Sequence, residues 1–257
     1  MATTIDANRR AGTGTLIGYL PVGFPDLATS IDAAVALVES GVDALELGVP
    51  YSDPVMDGLA IQKATQAALA SGFRVRDMFT AVEAIRARVD APVLVMTYWN
   101  PVLQYGPDRF ADALVDAGGA GLITPDITPD SAGPWIATSD RTGLERVFLA
   151  APSSTDARLV DTVAASRGFV YAVSTMGVTG ARSNVDAAAR GLVARLRAAH
   201  AENVCVGVGI STSDQVAEVL EYADGAIVGA ALVTALAERG VAGVARLAAA
   251  LAQGRTR

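Results

Sequence analysis

Glu39-Ser-Gly-Val-Asp-Ala-Leu-Glu-Leu-Gly48 reads as the end of a helix, a glycine hinge and a buried strand in immediate succession. Upstream, Ile31, Ala34, Val35 and Val38 recur at i, i+3, i+4 and i+7, the apolar stripe of an amphipathic helix. Ser30 is its N-cap candidate and Gly41 its stop signal. The same junction returns at Asp116-Ala-Gly-Gly-Ala-Gly-Leu122 and at Glu221-Tyr-Ala-Asp-Gly-Ala-Ile227. In each, a glycine or small residue closes a helix and a strand begins within a few residues.

Working outward from these hinges, eight short apolar runs qualify as buried parallel strands. They are Thr15–Leu20, Ala44–Gly48, Val93–Tyr98, Gly121–Thr124, Val147–Ala150, Phe169–Val173, Val204–Val208 and Gly225–Val228. Each is followed by a helical stretch, and no linker-like or low-complexity segment interrupts them. Eight such units predict an α/β protein, a (β/α)8 TIM barrel with residues 1–257 as a single domain. An open doubly wound sheet is the alternative.

Composition narrows the function. The 257 residues are 51% hydrophobic and 18% charged, enough for one large core. A net charge of −7 argues against nucleic acid and anionic membranes as partners. A phosphorylated small molecule stays open, since backbone amides at helix N-termini hold phosphate without basic side chains. One cysteine and one histidine exclude an internal disulfide and a His/Cys metal cluster, so no metal is expected. The first residues lack the apolar core of a secretory signal, and the longest uncharged run, 91–107, is broken by prolines. The expectation is a soluble cytoplasmic protein.

Barrel enzymes build their sites from the loops at the C-terminal ends of the strands. There, Glu46 lies inside the strand run, and parity sets it opposite Leu45 and Leu47. The two leucines suit the helix-facing side, which points Glu46 into the barrel mouth. An ionised group in an apolar strand costs several kcal/mol unless it is used. Past it, Pro50, Tyr51, Ser52, Asp53 and Pro54 form a stiff turn leading to Asp57 and Gly58. Asp57 reads either as a helix N-cap or as a second working carboxylate. Ser174-Thr-Met-Gly-Val-Thr-Gly-Ala181 reads as a closing lid or as an ordinary exposed loop. Gly207-Val-Gly209 and Gly229-Ala230 follow the last two strands, where barrels often hold phosphate at the start of a short extra helix, here 229–237.

Together these segments resemble the α subunit of tryptophan synthase over essentially the whole chain. The matching pieces are Gly18-Tyr-Leu-Pro-Val-Gly-Phe-Pro25, Leu45-Glu-Leu-Gly-Val-Pro-Tyr-Ser-Asp-Pro54, Asp57-Gly58 and Met96-Thr-Tyr-Trp-Asn100. Ile61-Gln62, Tyr171, Met176-Gly-Val-Thr-Gly180 and Gly207-Val-Gly209-Ile-Ser211 complete the set. The resemblance implies retro-aldol cleavage of indole-3-glycerol phosphate to indole and glyceraldehyde 3-phosphate. It implies that Glu46 moves protons between the glycerol hydroxyl and indole C3, and that Asp57 holds the indole N–H. Tyr19 and Tyr98 would line the indole pocket, and Tyr171 and Thr179 would lie near the glycerol phosphate. Gly180, Gly209, Gly229 and Ala230 would cradle the phosphate. Asp53 and Pro54 would face a β subunit in an α2β2 heterotetramer; that partner, and not this chain, would carry pyridoxal phosphate.

Two positions depart from the family pattern: Ala230 stands where serine is usual, and Leu59 where proline is usual after Asp-Gly. Two other readings accompany the leading one. One is a stand-alone lyase that releases free indole; the other is a weakly catalytic subunit that mainly activates a partner.

Overall fold

The computed structural model describes residues 1–173, 182–207 and 209–256, with the backbone alone for 182–186. Eight parallel strands close into a barrel in chain order. They are β1 (Thr15–Pro21), β2 (Ala44–Gly48), β3 (Val93–Met96), β4 (Gly121–Thr124), β5 (Glu145–Ala150), β6 (Val170–Val173), β7 (Val204–Gly207) and β8 (Gly225–Val228). The ring shuts between β8 and β1, where Thr15 stands opposite Gly225. This settles the architecture as a (β/α)8 barrel and removes the open-sheet alternative.

The helices are α1 (Ala2–Arg10), α2 (Leu27–Glu39), α3 (Leu59–Ala70), α4 (Val75–Arg86), α5 (Trp99–Tyr105), α6 (Pro107–Asp116), α7 (Gly133–Thr142), α8 (Asp156–Ala165), α9 (Arg182–Ala198), α10 (Ser213–Leu220) and α11 (Ala230–Ala252). Strand alternation divides the core in two. Ile17, Ala44, Leu94, Ile123, Val147, Phe169, Cys205 and Ile227 fill the barrel, with Ile5 of α1 and Met1 at its N-cap packed against them. Leu16, Leu45, Leu47, Val93, Val95, Leu122 and Phe148 face the helical layer. Burial on both faces explains why the strands read as unbroken apolar runs.

Local boundaries shift for identifiable reasons. α2 starts a turn earlier than its apolar stripe: Asp26 is the N-cap, accepting from the Thr29 amide at 2.8 Å. Ser30 lies buried inside the helix, donating to the Leu27 carbonyl and accepting from the Gly23 amide. Gly41 does mark the exit, at φ +101°, a left-handed conformation natural to glycine. β3 stops at Met96 because the backbone turns at Tyr98 to start α5, whose Trp99 amide donates to both Asp126 carboxylate oxygens at 2.9 and 3.0 Å. The short extra helix expected at 229–237 appears as the first part of α11, which is interrupted at Gly240, where φ is +60°.

Candidate active site

Glu46 occupies the middle of β2, opposite Tyr19 on β1 and Leu94 on β3. Parity holds: Ala44 lies within the barrel while Leu45 and Leu47 pack outward. The Glu46 side chain is 1% exposed, and its Oε2 has no hydrogen-bond partner among the described residues. Burial, with a smaller push from the negative charge of Asp57, raises the Glu46 carboxyl to about 8. Near neutral pH the group is therefore mainly protonated, as a general acid must be.

Asp57 reaches the same mouth from the loop between β2 and α3. It is not a helix cap: Gly58 is the N-cap of α3 and provides no side-chain bond, while the Asp57 carbonyl accepts from Gln62 Nε2 at 2.8 Å. Partial burial raises the Asp57 carboxyl to about 6, and the polar hydroxyl of Tyr98 pulls the other way. The two carboxyls are thus spread on either side of neutrality. Such a split is how one site holds an acid and an anion together.

A small cleft beside them is lined by Tyr19, Gly48, Val49, Asp57, Met96, Thr97, Tyr98 and Pro125. Of these, Tyr19, Asp57 and Tyr98 are readable as site residues from the sequence. Met96 carried a usable signal, since strand parity turns it inward with Leu94; Pro125 follows β4 and had none. Gly48 matters for its missing side chain: a Cβ there would overlap the Tyr19 hydroxyl. The Tyr19 ring also lies against Gly229, where a Cβ would stand 3.4 Å from it. Tyr171 faces the interior from β6, where burial raises the pKa of its hydroxyl and the nearby Glu46 carboxylate adds to the rise, and packs over Gly207 in the same way.

Around the mouth, Gly229 caps α11 with no side-chain bond, and Ala230 opens the helix, exposed. The first amides of α11 face the solvent end of the barrel, the arrangement that suits an anion. Gly209 sits exposed after β7 at φ +70°. Asp53 is exposed and Pro54 half-buried on the β2–α3 loop. Beside them Val55 is 78% and Leu59 76% exposed. Leu59 is the first residue of α3, a position where proline is well tolerated. Thr179, Gly180 and the whole 174–181 loop lie outside the described residues. Among the described residues no cluster of three or more His, Cys, Asp or Glu could hold a metal, and no helix is long and apolar enough to cross a membrane.

A buried carboxyl near a half-buried one, at the C-terminal mouth of a closed (β/α)8 barrel, is an arrangement suited to acid–base chemistry in an enzyme of the TIM-barrel class. Comparison with known proteins narrows the class. Residues 5–255 match the family model described as tryptophan synthase alpha chain. The tryptophan synthase alpha chain of Leifsonia xyli subsp. xyli is 69% identical over 257 residues, covering 100% of this chain and 98% of that one. That of Mycobacterium marinum is 59% identical over 233 residues, covering 91% and 86%. A solved structure of Mycobacterium tuberculosis tryptophan synthase superposes with a TM-score of 0.94 at 55% identity, covering 99% of this chain and 97% of that chain. The chain belongs to the tryptophan synthase alpha-chain family, lyases that cleave indole-3-glycerol phosphate.

Proposed function

We propose that Glu46 and Asp57 divide the cleavage of indole-3-glycerol phosphate between them. Protonated Glu46 gives its proton to indole C3, leaving a cation shared with the ring nitrogen. Ionised Asp57 accepts the indole N–H and opposes that cation. The resulting Glu46 carboxylate then takes the proton from the glycerol hydroxyl as the C–C bond breaks. The bonding pair returns to the indole ring, the hydroxyl carbon becomes the aldehyde of glyceraldehyde 3-phosphate, and Glu46 ends protonated as it began. The observation that carries this reading is the pair of carboxyls at one mouth, one poised near 8 and one near 6.

Tyr19 and Tyr98 form walls of the indole pocket, and Tyr171 and Thr179 lie toward the glycerol phosphate. Gly180, Gly209, Gly229 and Ala230 supply the phosphate cradle, supported by the uncapped N-terminus of α11. Residues 1–257 act as one domain in the cytoplasm, without a cofactor of their own. The partner is a tryptophan synthase β subunit carrying pyridoxal phosphate, in an α2β2 assembly. The loop bearing Asp53 and Pro54 meets it, with the exposed Val55 and Leu59 as apolar contacts.

Single-turnover cleavage tests the division of labour. Glu46→Gln should lower the rate about 10²- to 10⁴-fold, the scale of a lost general acid. Asp57→Asn should lower it about 10²- to 10³-fold, the scale of a lost charge stabiliser. Near-normal turnover in either variant would refute the role given to that residue.

A further inference from the structure

The β2–α3 loop that carries Asp57 has few bonds of its own. Val55 donates to the Asp53 carbonyl and Asp57 to that of Pro54, while Asp53, Val55 and Gly58 are exposed. Its position is set from outside: Gln62 of α3 holds the Asp57 carbonyl, and the segment after β3 holds the stretch before it. The Met56 amide donates to the Tyr98 hydroxyl at 2.8 Å, and Asn100 Nδ2 donates to the Tyr51 hydroxyl at 3.1 Å. The Tyr51 and Tyr98 rings pack with centroids 5.2 Å apart. Tyr98 is in turn fixed by its own backbone: Thr97 Oγ1 donates to its carbonyl at 3.0 Å, and the next amide is held by Asp126.

We propose that Tyr98 is a positioning residue, whose hydroxyl accepts from the Met56 amide, one residue before Asp57, and shares the cleft lining with Asp57, and so fixes where the Asp57 carboxylate stands. The proposal rests on the role given to Asp57 above and adds a function to a residue otherwise assigned as an apolar wall. The hydroxyl uses a lone pair to hold the loop backbone next to Asp57 and leaves its proton on the cleft side, as a supporting group at a preorganised site should. The groups that face Asp57 are Glu46 from β2, Tyr19 from β1 and Tyr98 from the segment after β3. Of these, Tyr98 is the one that lowers its proton affinity.

Tyr98→Phe keeps the ring and removes the hydroxyl. The full chain should be assayed for indole-3-glycerol phosphate cleavage across pH, alongside Asp57→Asn and the double variant. Tyr98→Phe should lower kcat about 10²-fold, the loss expected of a misplaced group, with KM nearly unchanged. Its acid limb should move up in pH, because the Asp57 carboxylate has lost the neighbouring hydroxyl that favours its ionised form; a merely loosened loop would not move it. In the Asp57→Asn background the same change should have little further effect. A wild-type kcat and acid limb in Tyr98→Phe, while Asp57→Asn is crippled, would overturn the positioning role alone. A Tyr98→Phe loss that persists in full without Asp57 would overturn it too. Normal turnover in Asp57→Asn would instead bring down the Asp57 reading and this proposal with it.

Discussion

A carboxyl that titrates near 8 because it is buried leaves two measurable traces. The first is kinetic. With Glu46 needed as the acid and Asp57 as the anion, kcat/KM should be bell-shaped, failing below about 6 and above about 8. The two groups interact, so these limbs belong to the pair. A pH–rate profile of the free enzyme checks this, and a rate that keeps rising above pH 8 would contradict it. The second trace is thermodynamic. Glu46 is raised from 4.5, so the folded state binds its proton more tightly than the unfolded chain does. Stability from this group is therefore present at low pH and falls as pH climbs from about 4.5 toward 8. Glu46→Gln removes that loss, so denaturant titrations should show the variant gaining on the wild type, by on the order of a few kcal/mol, from acid to alkaline pH. Glu46 was legible in the sequence because Leu45 and Leu47 fixed its parity. Asp57 was ambiguous because an aspartate before a helix is also a normal cap; only the structure shows Gly58 in that role.

At the level of elements, the eight strands were legible because each is covered on both faces, and the helix-to-strand hinges because glycines mark them. Helix starts were harder: Asp26 precedes the apolar stripe of α2 by a full turn, so the periodicity pointed to Ser30 instead. Contacts between loops, such as Tyr98 with Met56, join residues 42 positions apart and leave no local pattern. The start of α11 bears directly on ligand binding. Ala230 leaves the helix amides free but lacks the hydroxyl that serine would add. Isothermal titration with glycerol phosphate should therefore show Ala230→Ser binding more tightly by about 1 kcal/mol, the scale of one hydrogen bond. Equal affinities would show that the amides suffice.

For the molecule as a whole, the proposed catalytic, phosphate-binding and partner-contact residues come together at one mouth, because all are on loops at the same end of one ring. Val55 and Leu59 flank the loop that holds Asp57, so covering them should affect the chemistry. Adding a tryptophan synthase β subunit should produce a stable complex by analytical ultracentrifugation and raise the rate of indole release; no association would refute the proposed partner. The seam between β8 and β1 has a further consequence, in time rather than in space. During synthesis Tyr19, Glu46 and Asp57 leave the ribosome early, while Gly229 and the start of α11 come near the end. The Tyr19 ring is seated between Gly48 and Gly229, and that seat exists only when the final strand has joined the first. A growing chain thus carries Glu46 and Asp57 through most of its synthesis with no mouth to hold them, and gains its cleft in the step that closes the ring.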